Sequence, residues 1–285
     1  MLSALTDRQW LWLAAACYLA GVALGTAALL RGRRHPRALM LVALGAGFAL
    51  QTAGLVARGR AVHGCPLGNT FELFQFTAWS SASLFLVVGP VFRVSLLGYF
   101  TALLAAALTT VSLAVPAWDA AKRAHLFGNN PWIELHAALA VFSYGVFALL
   151  ALTSAMFLLR NYSLKSKHVG GWFSFLPSIL DLDHIGVRLL DAGMALLTAS
   201  LVVGAVWWLP HPETVDRPNL LMTAGVWAAY AVALALRLAG RLPPRRLAWA
   251  CAALFGVALL SLFAVNASRH PSPRPVVPVS EARTP

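Results

Sequence analysis

Residues 131–159 read Pro-Trp-Ile-Glu-Leu-His-Ala-Ala-Leu-Ala-Val-Phe-Ser-Tyr-Gly-Val-Phe-Ala-Leu-Leu-Ala-Leu-Thr-Ser-Ala-Met-Phe-Leu-Leu, and after Glu134 no Asp, Glu, Lys or Arg occurs until Arg160. About 20 such residues in a helix cross the hydrocarbon core of a bilayer. A helix also satisfies its own backbone hydrogen bonds, which lipid cannot do. This stretch is therefore read as a membrane helix. Comparable runs lie on either side of it, so that about eight spans are expected: roughly 9–30, 37–57, 70–90, 93–115, 132–159, 187–209, 219–239 and 246–266. Short alternating segments, the mark of a β-barrel, do not dominate anywhere. The expected fold is all-α, a polytopic integral membrane protein. Residues 1–267 form one membrane domain and 268–285, rich in Pro, Arg and Ser, a flexible tail.

Composition agrees. The 285 residues are 59% hydrophobic and only 11% charged, whereas soluble domains carry about 25% charged residues. The net charge of +12 invites a nucleic-acid reading, but its placement argues for topology instead. Arg31, Arg33, Arg34 and Arg37 lie between spans one and two, Arg160, Lys165 and Lys167 follow span five, and Arg237, Arg241, Arg245 and Arg246 separate spans seven and eight. Dense basic clusters mark the cytoplasmic side, which puts both termini outside. Arg8, Arg58, Arg60 and Arg217 then fall on the outer side. The first span is too long for a cleaved leader, and Asp7-Arg8 is a poor cationic start. Cys17, Cys65 and Cys251 form no CxxC pair and imply neither a disulfide framework nor a zinc site.

Several loops carry polar content. In Asn69-Thr70-Phe71-Glu72, Asn69 is placed to cap the third helix and Glu72 to reach back to the cap; a direct ligand role for Glu72 is the alternative. The segment 161–186 is the longest loop, with a short interfacial helix expected around 173–180. The outer loop 209–218 reads Leu-Pro-His-Pro-Glu-Thr-Val-Asp-Arg-Pro.

Alternating spans bring chemistry to one face. Span five starts outside, and spans six and eight end there. His136 lies about one turn below the outer surface, given a rise of about 5.4 Å per turn, and His270 lies just past span eight. Trp207, Trp208 and the loop to Asp216 sit at the same level. Neutral imidazoles are axial ligands of haem iron, aromatic rings stack on flat π-systems, and Arg217 or Arg269 suits a propionate. Simpler readings stand beside these. Tryptophans collect at bilayer interfaces without any ligand, and a histidine near a helix end or in a tail is often only solvated. Ionisable groups inside spans are costly, which favours His136. His35, His168 and His211 are read as loop residues; His125 and His184 stay open.

Taken together, several segments resemble the CcsA/ResC-type cytochrome c assembly family, which includes HemX-like proteins and is related to CcmC. Pro66-Leu67-Gly68-Asn69-Thr70-Phe71-Glu72 resembles the family's P-L-S-N-x-Y-E. Trp132-Ile133-Glu134-Leu135-His136, with Ser143-Tyr144 after it, resembles its W-L-x-x-H helix. The segment from Asp183 to Trp207 resembles the approach to its tryptophan-rich motif, and Val265-Asn266 followed by His270 resembles its terminal V-N-x-x-x-x-H. The order matches over roughly 63–270.

The resemblance implies that His136 and His270 are the two external axial histidines, binding the iron of a non-covalent haem b. It implies that 207–216 stands where haem is presented, with Trp207 and Trp208 as stacking surface and Asp216 and Arg217 as polar guides. It further implies a bacterial cytoplasmic (inner) membrane location. The function expected is haem binding and handling in cytochrome c biogenesis: haem is held at the outer face for delivery or attachment to apocytochrome c, alongside a ResB/CcsB-type membrane partner. The chain departs from the pattern in three places, one of them His63, which stands one place out of register with a family histidine before Pro66. The usual W-G-x-x-W-x-W-D-P-K-E is replaced after Trp208, and no histidine stands near Ala235-Leu236-Arg237, where the family carries an intramembrane one. A HemX-like regulator of haem biosynthesis acting through the 161–186 loop, and a small-solute transporter, are the alternatives. The transporter would show broken helices, a midplane polar site and inverted repeats; no such repeats are found and few charges lie mid-span, so it ranks last.

Overall fold

The computed structural model describes residues 5–31, 37–92, 95–119, 130–167, 176–210 and 217–268. Eight long helices account for nearly all of them: α1 (Asp7–Leu30), α2 (Arg37–Val62), α3 (Thr70–Phe92), α4 (Ser95–Ala114), α5 (Pro131–Lys165), α6 (Ile179–Trp208), α7 (Arg217–Leu238) and α8 (Pro244–Ser268). One 3-10 turn, Pro116–Asp119, follows α4. Among the described residues, six of the helices are long and apolar enough to cross a membrane: α1, α2, α4, α5, α6 and α7. The protein is a multi-pass, all-helical membrane protein.

Local chemistry sets the helix starts. Thr6 and Gln9 close a reciprocal cap on α1, with Gln9 N donating to Thr6 Oγ1 (3.3 Å) and Thr6 N to Gln9 Oε1 (2.8 Å). Asn130 Oδ1 accepts from Trp132 N (3.0 Å), and Pro131 fills the first helical position of α5, where no N–H is required. Ser178 Oγ accepts from Asp181 N (3.1 Å) and opens α6 well before the expected start near 187.

Three expectations about the α5–α6 connection change as a result. α5 runs to Lys165 and α6 begins at Ile179, so the long loop contracts to 166–178. Leu176–Ser178 are not helical, and Ile179 and Leu180 belong to α6. The expected separate helix around 173–180 is therefore absent from the described part of that stretch; 173–175 lie outside the described residues.

The helices alternate in direction. Arg58, near the end of α2, meets Asp7 at the start of α1, Glu72 at the start of α3 and Asp119 after α4. Cys65, between α2 and α3, meets Glu134 at the start of α5 (3.4 Å). All of these lie at one end of the bundle. At the other end, Arg237 near the end of α7 pairs with Asp183 near the start of α6.

α5 is the central element and packs on α3, α6 and α8. Val146, Phe147, Ala148 and Leu149 on it are fully buried. Its approach to α3 is close: a Cβ built on Gly145 would fall 1.9 Å from Ser80 Oγ. α7 is held by a Phe147–Tyr230 ring stack (4.0 Å between centroids) and by Trp227 Nε1 donating to Thr198 Oγ1 (2.9 Å).

Inside α1–α4 lies a polar network that the sequence reading did not anticipate. Tyr18 donates to Gln51 Oε1 (2.8 Å). Gln51 Nε2 donates to Gln75 Oε1 (2.8 Å) and Thr109 Oγ1 (3.2 Å), and Gln75 Nε2 donates to Ser112 Oγ (2.9 Å). All five side chains belong to buried residues. In lipid such groups must find partners within the protein.

Candidate functional site

His136 sits one and a half turns into α5, half-buried against the last turns of α6. Its Nδ1 lies 2.7 Å from the carbonyl oxygen of Ser200 and 3.0 Å from Ser200 Oγ. Ser200 Oγ in turn donates to the main-chain oxygen of His136 (2.9 Å). A carbonyl only accepts, so Nδ1 carries the ring proton and Nε2 keeps its lone pair. A metal-binding histidine is oriented in this way by a hydrogen bond from its other nitrogen.

The space for the ring comes from Gly204, one turn beyond Ser200. A Cβ there would lie 2.8 Å from His136 Nδ1 and 2.8 Å from Trp208 Cη2. Trp208 then meets the imidazole edge-on, with centroids 4.8 Å apart and planes at 76°. Ser200, Gly204 and Trp208 are spaced by four residues and so share one face of α6. This donor arrangement fits a group that takes an imidazole nitrogen as ligand: an oriented ring beside an indole.

Of the other expected residues, Trp207 is half-buried beside Trp208 at the end of α6. Arg217 is exposed at the first position of α7. α6 ends and α7 begins at the same end of the bundle as the start of α5, so His136, Trp207, Trp208 and Arg217 share that end. Direct contact is seen between His136 and Trp208. His270 and Asp216 lie outside the described residues.

The same end carries a charged cluster that the sequence reading missed. Arg58 was counted there as an outer topology charge, yet it is 0% exposed. Its Nε donates to Glu72 Oε1 (2.7 Å), its Nη1 to Asp7 Oδ2 (2.9 Å) and its Nη2 to Asp119 Oδ1. Arg8 adds a second cation on Asp119 (2.9 Å). The Phe71 ring lies 5.2 Å from the Arg58 guanidinium carbon and 5.5 Å from that of Arg8. The available signal was the scarcity of acids: with ten Asp and Glu in the chain, three standing at helix ends on one end of the bundle require a cation.

Glu72 also differs in detail from the expected cap. Asn69 Oδ1 does accept from Glu72 N (2.8 Å), as anticipated, but the Glu72 carboxylate accepts from Gly68 N (2.6 Å) rather than from the cap residue. The loop between α2 and α3 is thus tied at Gly68 by Glu72 and at Cys65 by Glu134. Burial and these two carboxylates push the Cys65 thiol up to about 11, so it is a poor nucleophile at neutral pH. The three cysteines are free.

A separate shallow crevice between α5, α6 and α8, lined by Ser154, Phe157, Asp183 and Leu247 among others, opens at the opposite end of the bundle. Its one carboxylate is already paired with Arg237.

Over 160 residues the chain is 29% identical to Protein HemX of Brevibacillus brevis, covering 56% of this chain and 58% of that protein. It is 26% identical over 151 residues to Protein HemX of Bacillus subtilis (strain 168), covering 52% and 54%. It is 23% identical over 168 residues to Cytochrome c biogenesis protein CcsA of Mesostigma viride, covering 51% and 55%. The chain thus spans a little over half the length of these relatives. The profile described as Cytochrome C assembly protein matches residues 67–270, which take in α3 to α8 and the whole His136 cradle. On that match, the chain belongs to the cytochrome c assembly protein family.

Proposed function

We propose that the protein binds and handles haem in cytochrome c biogenesis, holding it non-covalently as haem b at the outer end of the bundle for delivery or attachment to apocytochrome c. The observation that carries this reading is the His136 cradle. The Ser200 carbonyl accepts a hydrogen bond from Nδ1–H, which leaves Nε2 as the nitrogen able to bind iron, with Trp208 beside it. When bound, haem supplies the vinyl groups that cysteine thiols attack to form thioethers; the protein supplies position.

In this reading His136 and His270 would hold the iron through their imidazole nitrogens. Trp207 and Trp208 offer flat apolar surface, and Asp216 and Arg217 steer the polar edge, Arg217 by pairing with a carboxylate. The membrane is the bacterial inner membrane, with both termini outside, and the chain works with a ResB/CcsB-type partner. Residues 1–267 act as a single membrane domain with 268–285 as its tail. The regulatory alternative drew on the 161–186 stretch, and α5 and α6 take up both of its ends.

The test is an absorption spectrum of the full-length protein purified in mild detergent. A bis-histidine haem spectrum that His136→Ala and His270→Ala each diminish supports the reading. A colourless protein from haem-replete cells, unable to take up added haem, overturns it. Unchanged covalent cytochrome c in cells lacking the gene counts against the assembly role.

A further inference from the structure

We propose that Ser200 is a positioning residue for His136, fixing both its tautomer and its ring plane before any haem arrives. The purpose of this device rests on the haem reading above; its existence does not. Three contacts converge on one side chain. The Ser200 carbonyl and hydroxyl oxygens both lie within hydrogen-bond reach of Nδ1, at 2.7 and 3.0 Å. The hydroxyl spends its only proton on the main-chain oxygen of His136 at 2.9 Å, so toward the ring it too can only accept. Nδ1–H is therefore shared between two acceptors on one residue, and that residue is also bonded to the backbone that carries the ring.

Ser200 is fully buried, so water does not compete for these bonds. Gly204 closes the cradle from one turn away, since any Cβ there meets the ring at 2.8 Å. The Trp208 edge limits the remaining swing. The pair Ser200 and Gly204 thus acts as a bracket on α6 for an imidazole on α5. It holds the Nδ1–H form, the reverse of the tautomer that prevails for histidine in water. Ordering the ring in advance removes a cost that binding would otherwise carry.

The experiment uses full-length, haem-free protein labelled with ¹⁵N-histidine in detergent micelles, with His136→Gln identifying the His136 signals in long-range ¹H–¹⁵N spectra. Wild type is expected to show one tautomer, protonated at Nδ1, and Ser200→Thr, which keeps the hydroxyl, is expected to match it. Ser200→Ala keeps the carbonyl but loses the tether; its two ring-nitrogen shifts are expected to move toward each other as the tautomers average. Wild-type protein protonated at Nε2, or a Ser200→Ala spectrum identical to wild type, overturns the inference.

A second arm titrates ferric haem by absorbance. Ser200→Ala is expected to weaken uptake about 10–100-fold, the usual effect of losing a partner that orients a metal ligand, and Ser200→Thr to restore it. Failure of wild type to take up haem, with the Nδ1–H tautomer confirmed, sinks the haem reading and leaves the positioning role standing. Haem uptake by wild type with a wild-type spectrum in Ser200→Ala does the reverse.

Discussion

Replacing Arg58 by Met removes a buried cation from three carboxylates at once, and the structure indicates which of them suffers. Asp119 retains Arg8 at 2.9 Å. Asp7 is partly exposed and sits in the first turn of α1, where a helix dipole favours negative charge. Glu72 is 2% exposed and is left with one backbone donor, Gly68 N, for its carboxylate. Removing one partner of a buried ion pair costs about 3–5 kcal/mol, because the other charge stays buried and uncompensated. Arg58→Met should therefore lose about 3–5 kcal/mol, far above the ~0–1 kcal/mol of an exposed pair. Adding Glu72→Gln removes the stranded charge while its amide oxygen still accepts from Gly68. The double variant should then recover about 2 kcal/mol, within the usual range of ~0.5–3 kcal/mol for groups in contact. Arg58→Lys should fall between, since an ammonium does not reproduce the guanidinium fork. Denaturation in mixed micelles, followed by tryptophan fluorescence, measures all four proteins. A loss below about 1 kcal/mol for Arg58→Met, or a double variant less stable than the single, would refute the reasoning.

Other consequences follow from packing and charge. Gly204→Ala pushes a methyl against both His136 and Trp208; it should cost about 1–3 kcal/mol as overpacking and reduce haem uptake, read by unfolding and by absorbance. Gly145→Ala drives a Cβ to within 1.9 Å of Ser80 Oγ, with a loss of at least ~1–3 kcal/mol, and Ser80→Gly in the same chain should recover part of it. Cys65, alone in a Cys17→Ser/Cys251→Ser background, should alkylate slowly at pH 7: a thiol raised from 9.0 to about 11 presents roughly 100-fold less thiolate than the unshifted group. Its rate should keep rising with pH toward 11, and Glu134→Gln, by removing a repelling negative charge, should shift the profile to lower pH; a profile centred near 9 in the parent would contradict the described surroundings. Reporter fusions at Lys165 and Glu213 should report opposite sides of the membrane; a shared side would break the alternation of α5 and α6.

The eight helices were legible because the apolar runs in this chain are long and uninterrupted, a signal that survives uncertainty at the ends. The ends were misjudged where charge entered a helix. Asp181 and Asp183 made the start of α6 look like loop, yet Ser178 caps it and Arg237 pairs with Asp183. His136 was legible as a costly imidazole near the end of a span, and Trp208 as its neighbour by level. The contact partners were not. Ser200 and Gly204 are ordinary residues in an apolar helix, and only the packing of α5 on α6 gives them a role. Arg58 was misassigned for a related reason: a basic residue near a helix end looks the same in sequence whether it faces water or three acids. Gln51 and Gln75 went unremarked because a carboxamide within a span is meaningful only once the facing helices are known.

The glutamine network also constrains how the chain can be made. A multi-pass protein enters the bilayer helix by helix, and Gln51 arrives on the second. At that moment Tyr18 can already serve its carbonyl, but every partner of its NH₂ group belongs to α3 or α4. The nascent hairpin of α1 and α2 is therefore left with a donor in want of an acceptor until α3 brings Gln75, and the second acceptor, Thr109, waits for α4. That delay gives the ribosome-bound intermediate a reason to stay beside the insertion machinery, and it makes the first four helices a unit that matures together.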